Sequence, residues 1–224
     1  MKFFDELYRD FDQPLTALDC GLMCAPHNPS GKPFCCDLCQ VVPAVYELEW
    51  LHLQAAGDFW HEYRGDECPG DPCDPEEVLA ETPSHMLLLA CQGPERCRRE
   101  IRSVSCRQFP FSPYITADGR FIGLTVEPDF REQCWVISHL EEVTPAYRQA
   151  FVRVYDNLLS RWEHDFEAYA EYSADLRGQY AERGERMPLL HRNGANYLIS
   201  PLSERMERVK PGGYRRFGPY CRAA

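Results

Sequence analysis

A chain of 224 residues and 26.0 kDa is long enough for one sizeable core or two small domains. Twenty-four Lys+Arg against 35 Asp+Glu leave a net charge of −11. That balance argues against a general nucleic-acid binder, which needs a basic face to neutralise phosphates. A hydrophobic content of 44% beside 26% charged residues reads as a globular chain. No apolar run approaches the roughly 18 residues of a membrane span, and Met1-Lys2-Phe3-Phe4-Asp5-Glu6 turns acidic before any export signal could form, so the expected address is cytoplasmic, with no membrane partner.

Phe4, Leu7, Tyr8 and Phe11 have helical spacing, and Pro14 ends or kinks that segment. Residues 19–40 combine Gly, Pro, Asn and Ser with five cysteines and no period, a loop folded around something. Pro43 suits the first turn of a helix reaching Ala56, with Val45, Leu48, Leu51 and Leu53 as its core face and Gly57 as its stop. An acidic, proline-rich stretch runs from Asp66 to Glu77, and its Asp74-Pro75-Glu76-Glu77 reads as a helix start. Met86-Leu87-Leu88-Leu89-Ala90 is a short buried strand. Tyr114-Ile115-Thr116 and Phe121–Val126 flank Asp118-Gly119, which predicts a β-hairpin with a type I′ turn. Thr144-Pro145 opens the longest helix. Tyr147, Phe151, Val154, Leu158, Trp162, Phe166 and Tyr169 draw one apolar stripe along about six turns, ending near Gly184 and best read as core packing.

Residues 192–224 carry Arg192, Arg205, Arg208, Lys210, Arg215, Arg216 and Arg222 against Glu204 and Glu207, a local charge of +5. This tail either docks back on the acidic body or meets an anionic protein partner. The expected organisation is a cysteine-cluster metal-binding domain over residues 1–143, a helical extension packed on it over 144–191, and the basic tail over 192–224. The expected fold class is α+β and mainly helical: an irregular cysteine-rich metal-binding core with a small β-hairpin and a long C-terminal helix.

Twelve cysteines are the abnormal feature. The length supplies its own core and cytosolic disulfides are rare, so their clustering points to ligands gathered around metal. Cys20 and Cys24 stand four apart, Cys35-Cys36 is a vicinal pair, Cys91, Cys97 and Cys106 follow, and Cys134 comes after the hairpin. Thiolates suit zinc and iron–sulfur clusters, each normally held by four protein ligands. The vicinal pair fits poorly with paired zinc knuckles, the ligands are widely spread, and Arg98, Arg99 and Arg107 could offset the charge of a thiolate-bound cluster. These features favour an iron–sulfur cluster, with Zn2+ as the alternative.

The same residues resemble the YkgJ-type cysteine-cluster family, a zinc- or iron-chelating domain. The resemblance rests on three pieces: the N-terminal pair with Cys35-Cys36 and the acidic Tyr46-Glu47-Leu48-Glu49; Arg102-Ser103-Val104-Ser105-Cys106-Arg107-Gln108-Phe109-Pro110; and Cys91 and Cys97 with the late Cys134. It spans about residues 19–136. This sequence departs from the family in its longer gap before Cys35, in Ser103 where proline is usual, and in Trp135 after Cys134. The resemblance implies Cys20, Cys24, Cys35, Cys36, Cys91, Cys97, Cys106 and Cys134 as metal ligands. Cys39, Cys68, Cys73 and Cys221 lie outside its pattern.

Other signals are weaker. His27 follows Cys24 but reads as a solvated loop histidine, and Cys68-x4-Cys73 could be half of a second zinc site or a redox pair. Arg102 and Arg107 either bind an anion near the metal or hydrogen-bond loop carbonyls and thiolates. His61-Glu62 lacks the second histidine of a zincin, and His164-Asp165 reads as a solvated pair. The expected function is therefore a metal-binding cysteine-cluster protein, holding an iron–sulfur cluster such as 4Fe–4S and acting as adaptor, metal handler or electron carrier. The alternatives are a zinc-binding structural or adaptor protein, and a metal-dependent protein-modifying enzyme. The last follows from the resemblance alone, since a relative methylates lysines of flagellin. A disulfide-stapled interaction protein is the non-metal reading.

Overall fold

Phe4, Leu7 and Tyr8 line the buried side of helix α1 (Lys2–Asp10), and Phe11 completes the stripe just past its end. In the computed structural model, which describes residues 2–68, 80, 82 and 85–221, α1 belongs to the first of two units. That unit comprises Met1–Asp12 and Asp19–Phe109; the second comprises Gln13–Leu18 and Pro110–Ala224. The helix start expected at Asp74-Pro75 and the residue Cys73 lie outside the described residues.

The first unit carries a three-stranded antiparallel sheet of β1 (Ala44–Tyr46), β2 (Trp60–Glu62) and β3 (Met86–Cys91) in the order β1-β3-β2. The apolar run 86–90 is thus the central strand, buried between two partners as its composition implies. Pairing of Ala44, Val45 and Tyr46 with Leu88, Leu87 and Met86 claims the residues expected to begin a helix at Pro43. Helix α3 accordingly starts later and spans Glu47–Ala55. Of its expected core face, Val45 (now in β1) and Leu53 are buried, whereas Leu48 and Leu51 are 54% and 56% exposed. The cysteine-rich segment is not wholly a loop, because Cys20–Cys24 form a short helix, α2, capped by Asp19.

The second unit is built on a five-stranded antiparallel meander: β4 (Phe111–Ile115), β5 (Phe121–Val126), β6 (Met187–His191), β7 (Asn196–Ile199) and β8 (Met206–Val209), in chain order across the sheet. Pro113 sits in the edge strand β4, where a missing N–H is tolerated. The turn between β4 and β5 is a hairpin, as expected, but not of type I′. Gly119 alone takes a left-handed φ of +78°. Asp118 is not among the described residues with positive φ. The Gly119 N–H closes onto Thr116 O at 2.9 Å, a type I turn followed by a glycine bulge.

Helix accounts for 43% and strand for 18% of the structure. The fold is therefore α+β with two antiparallel sheets, and the expectation of a mainly helical chain is overturned. The source of the error is the C-terminal half, where 187–191, 196–199 and 206–209 are strands. Pairing of Gly123 and Leu124 with His191 and Leu190 draws residues 110–143 into one unit with the C-terminal segment, so the units divide after Phe109 and not at 143. Residues 192–209 are part of a sheet, not a tail. Basic side chains of the C-terminal segment pair within the unit: Arg192 with Asp156 at 2.8 Å, Arg215 with Glu185 at 2.8 Å and Arg216 with Glu141 at 2.9 Å.

The single long helix is also corrected. The chain forms α6 (Pro145–Arg161) and α7 (Glu163–Glu182), after a short α5 (Trp135–Ser138), and Trp162 between the two long helices is extended. One straight helix over 145–182 would be about 57 Å long, far beyond strands of about 17–20 Å. Two helices instead cover neighbouring strands, α6 against β5 and α7 against β4. In α6 the stripe behaves as expected, with Tyr147, Phe151, Val154 and Leu158 buried. In α7 the buried positions are Asp165, Ser173, Leu176 and Tyr180 rather than Phe166 and Tyr169. Ser173 Oγ accepts the Ile115 N–H at 3.0 Å, and Arg177 donates to Ile115 O at 3.1 Å. Both serve backbone groups of the edge strand β4.

Gly123 has a φ of +152°, and a Cβ there would stand 2.9 Å from His191 Cα and closer still to Leu190 O. Gly123→Ala should cost more than about 2 kcal/mol in urea unfolding by prying β5 from β6. Gly178→Ala, in the interior of α7 with nothing within 4 Å, should instead gain about 0.5–1 kcal/mol.

Candidate functional site

Four stretches of the first unit bring thiols together. Helix α2 holds Cys20 and Cys24 at i and i+4, on one face. The Cys24 sulfur accepts the Phe34 N–H at 3.4 Å, which ties α2 to the 3-10 turn Phe34–Cys36 and so to the vicinal pair. Cys91 ends β3, and Cys97 follows after the turn at Pro94. Cys106 sits in helix α4 (Val104–Gln108), whose N-cap Ser103 accepts the Cys106 N–H at 3.2 Å.

These thiols sense one another's charge. Burial pushes Cys106 up to about 12; its hydrogen bond with Ser103 opposes this, and the charges of Cys36, Cys91 and Cys97 add to it. Burial also raises Cys91, and Cys36 and Cys97 act in the same direction. Cys24 is raised mainly by burial, with a contribution from Cys36. Cys36 is the exception. A hydrogen bond from Cys35 holds it down to about 7, and the Arg102 guanidinium helps against the cost of burial. Cys36 and Cys91 also line one cavity of about 330 Å³.

Arg102 is the cation of the site. Burial disfavours its charge, but a hydrogen bond to Cys97 and the nearby Cys97, Cys36 and Cys106 outweigh that and raise its pKa. The sequence had pointed to Arg98, Arg99 and Arg107 for this role, and the structure redistributes them. Arg99 pairs with Asp12 at 2.7 Å. Arg107 is spent on carbonyls, donating to Arg99 O at 2.7 Å, Arg102 O at 2.9 Å, Phe11 O at 3.0 Å, and Tyr8 O and Glu100 O at 3.3 Å. Its guanidinium lies 4.5 Å from the Tyr8 ring centroid. Both arginines of the motif thus take the second of the roles weighed for them, Arg107 on loop carbonyls and Arg102 on a thiol.

Glu49, in the acidic helix of the motif, is fully buried. It accepts the Tyr8 hydroxyl at 2.5 Å and the Val104 N–H at 2.7 Å, which joins α1 and α3 to the start of the helix that carries Cys106. Burial raises Glu49 to about 7, against those hydrogen bonds and the Arg107 charge.

The remaining cysteines separate from this group. Cys134 belongs to the second unit, at the N-cap of α5, with its N–H on Phe130 O at 2.8 Å. Cys221 is exposed in the second unit. Cys68, read from sequence with Cys73, is joined to Cys39 in a disulfide with a Cα–Cα distance of 5.4 Å. The two half-cystines are 29 residues apart, and no spacing rule on the sequence pairs them. His27 is exposed. His164 faces Asp165 at 3.5 Å, but Asp165 is 2% exposed, so the pair is not simply solvated.

A tetrahedral ion with bonds of about 2.3 Å needs its sulfurs about 3.8 Å apart. Among the described residues no three thiols come mutually within 4.8 Å. A polynuclear cluster, whose thiolates bind separate metal atoms, spaces its ligands more widely.

Arg107→Lys strips the fork that serves five carbonyls and should cost about 2–4 kcal/mol in urea unfolding, whereas Arg102→Lys should stay within about 1 kcal/mol. Glu49 gives a pH signature. An acid whose folded pKa of about 7 exceeds its ordinary 4.5 takes up a proton on folding between those values. Its contribution is therefore complete below pH 4.5 and lost as pH rises through 7. The stability of the native chain relative to Glu49→Gln should fall by up to about 3 kcal/mol between pH 4.5 and 7.5. No family model, curated protein or solved structure matches this chain, and the reading of its thiols rests on the residues themselves.

Proposed function

We propose that the first unit is a cluster-binding domain that holds an iron–sulfur centre through Cys36, Cys91, Cys97 and Cys106, with Cys20, Cys24 and Cys35 beside them. One observation supports this reading: Cys36, Cys91, Cys97 and Cys106, from separate stretches of chain, act on one another's charge and on that of Arg102. The donor set is soft and anionic, which suits iron and disfavours magnesium or calcium. The resemblance to the YkgJ-type family supports the same assignment.

The residues around the thiols have definable tasks. Arg102 donates to Cys97 and adds positive charge, which stabilises the more negative, reduced form of a thiolate-bound centre. Ser103 caps α4 and orients Cys106. Arg107 and Glu49 hold the 99–106 segment in shape. When bound, such a centre supplies one-electron exchange and cross-links the segments that hold it. The role proposed is therefore electron transfer or a metal-dependent scaffold.

The test is the metal content of protein purified without oxygen. About four iron and four sulfide per chain are expected, with a visible charge-transfer band. Both should be lost in Cys106→Ser and Cys97→Ser and retained in Cys221→Ser. Zinc alone, or neither metal, would overturn the assignment.

A further inference from the structure

The cavity that reaches Cys36 and Cys91 is also lined by Cys39, and Cys39 is one end of the disulfide to Cys68. The two ends differ. Cys39 lies on the exposed surface, whereas Cys68 is 1% exposed. The turn that presents Cys39 is held by Asp37, itself only 4% exposed. Asp37 accepts the Cys39 N–H at 3.2 Å on one oxygen; Asn28 and Ser30 donate to the other at 3.0 Å and 2.7 Å. Its carbonyl also takes the N–H groups of Gln40 and Val41 at 2.9 Å and 3.0 Å. One half-cystine of the bond therefore stands on an exposed turn that lines the cavity, and the other is buried. Exposed disulfides are the labile ones, and exchange needs access to one sulfur along with a leaving thiol on the other.

We propose that Cys39–Cys68 is a thiol–disulfide exchange site that takes a dithiol as substrate. A thiolate of the incoming dithiol attacks the sulfur of Cys39, the half-cystine on the exposed turn. The Cys39–Cys68 bond breaks, Cys68 leaves with the electron pair and takes a proton, and a mixed disulfide forms on Cys39. The second thiol of the substrate then attacks its own sulfur in that mixed disulfide and releases Cys39 as a thiol. In sum, the dithiol is oxidised to its disulfide, and Cys39 and Cys68 are reduced by the two electrons and two protons it gives up. Asp37, Glu67 and Glu95 line the cavity against the single cation Lys32, which favours a neutral or basic dithiol over an anionic thiol such as glutathione. Reduction leaves the Cys39 thiol three residues from Cys36, the C-x-x-C spacing shared by metal knuckles and dithiol centres. The state of this bond therefore decides how many thiols face the cavity. The proposal stands on the disulfide and the cavity alone, and holds whichever metal, if any, the neighbouring thiols bind.

The full chain, kept under nitrogen, is equilibrated in mixtures of oxidised and reduced dithiothreitol, quenched in acid, alkylated and mapped cysteine by cysteine by mass spectrometry. Cys39 and Cys68 should be protected together in the oxidised buffer. They should become reactive together, by about tenfold or more, in the reduced buffer without urea, and the change should reverse. A limiting monothiol, 2-mercaptoethanol, should trap its adduct on Cys39. Reactive Cys39 and Cys68 in the fully oxidised buffer would overturn the proposal, as would a bond that survives the reduced buffer until urea unfolds the chain. An adduct on Cys68 alone would overturn the order of attack. Because every readout uses the native sequence, the test does not depend on a variant that folds. Iron measured on the same samples separates the two ideas: its absence sinks the cluster reading and leaves the exchange reading untouched.

Discussion

A buried guanidinium that hydrogen-bonds to five backbone carbonyls ties together separate parts of the first unit. Arg107 gathers the carbonyls of Tyr8 and Phe11 at the end of α1 and those of Arg99, Glu100 and Arg102 in the turn before α4. No lysine could do this, because one ammonium has three donors on a point while the planar fork reaches several directions at once. Glu49 completes the arrangement from the opposite sign, receiving the Tyr8 hydroxyl and the first free N–H of α4. Arg107 and Glu49 thus tie α1 and α3 to the segment that carries Arg102 and Cys106. These polar groups hold the backbone of the thiol-bearing segments alongside buried apolar neighbours such as Ile101 and Val104.

In the second unit the constraint is coverage of a sheet. Short strands can bury only a short length of helix, so the polypeptide after Pro145 makes two helices in place of one. Backbone groups of the edge strand β4 are met by α7, through Ser173 and Arg177. A serine in the middle of a helix is ordinarily neutral or unfavourable. Here its hydroxyl answers a strand N–H that would otherwise be buried without a partner. The basic side chains at the C-terminal end have their own local answers in Asp156, Glu185 and Glu141.

The thiol group and the disulfide meet at one cavity, so cysteine serves the first unit in two ways. Cys36 and Cys91 face the cavity as thiols while Cys39 faces it as half of a covalent bond. Neighbouring cysteines separated by two residues therefore differ in chemical state because of what each meets across the fold. Cys36 meets Cys35 and Arg102, and Cys39 meets Cys68.

Features carried by local pattern were legible in the residues themselves. The stripe of Phe4, Leu7, Tyr8 and Phe11 buries one face of α1 because helical periodicity is intrinsic to the chain. The run 86–90 is a central strand, Asp118-Gly119 makes a hairpin, and the spacing of Cys35-Cys36, Cys91, Cys97 and Cys106 marked thiols that the fold gathers in one unit. Features carried by long-range partners were not. Residues 44–46 became a strand only because 86–88 lay opposite, and Trp162 breaks a helix with no glycine or proline to announce it, since the apolar period continues in phase across the break. The pairing of Cys39 with Cys68, the placement of Cys134 in the other unit and the division of labour between Arg102 and Arg107 are likewise decisions of tertiary structure. The sequence by itself determined which short segments are amphipathic, because that depends on neighbours a few residues apart. Only the folded chain decided which strand pairs with which and which donor meets which acceptor, because those free energies belong to contacts between residues distant in sequence.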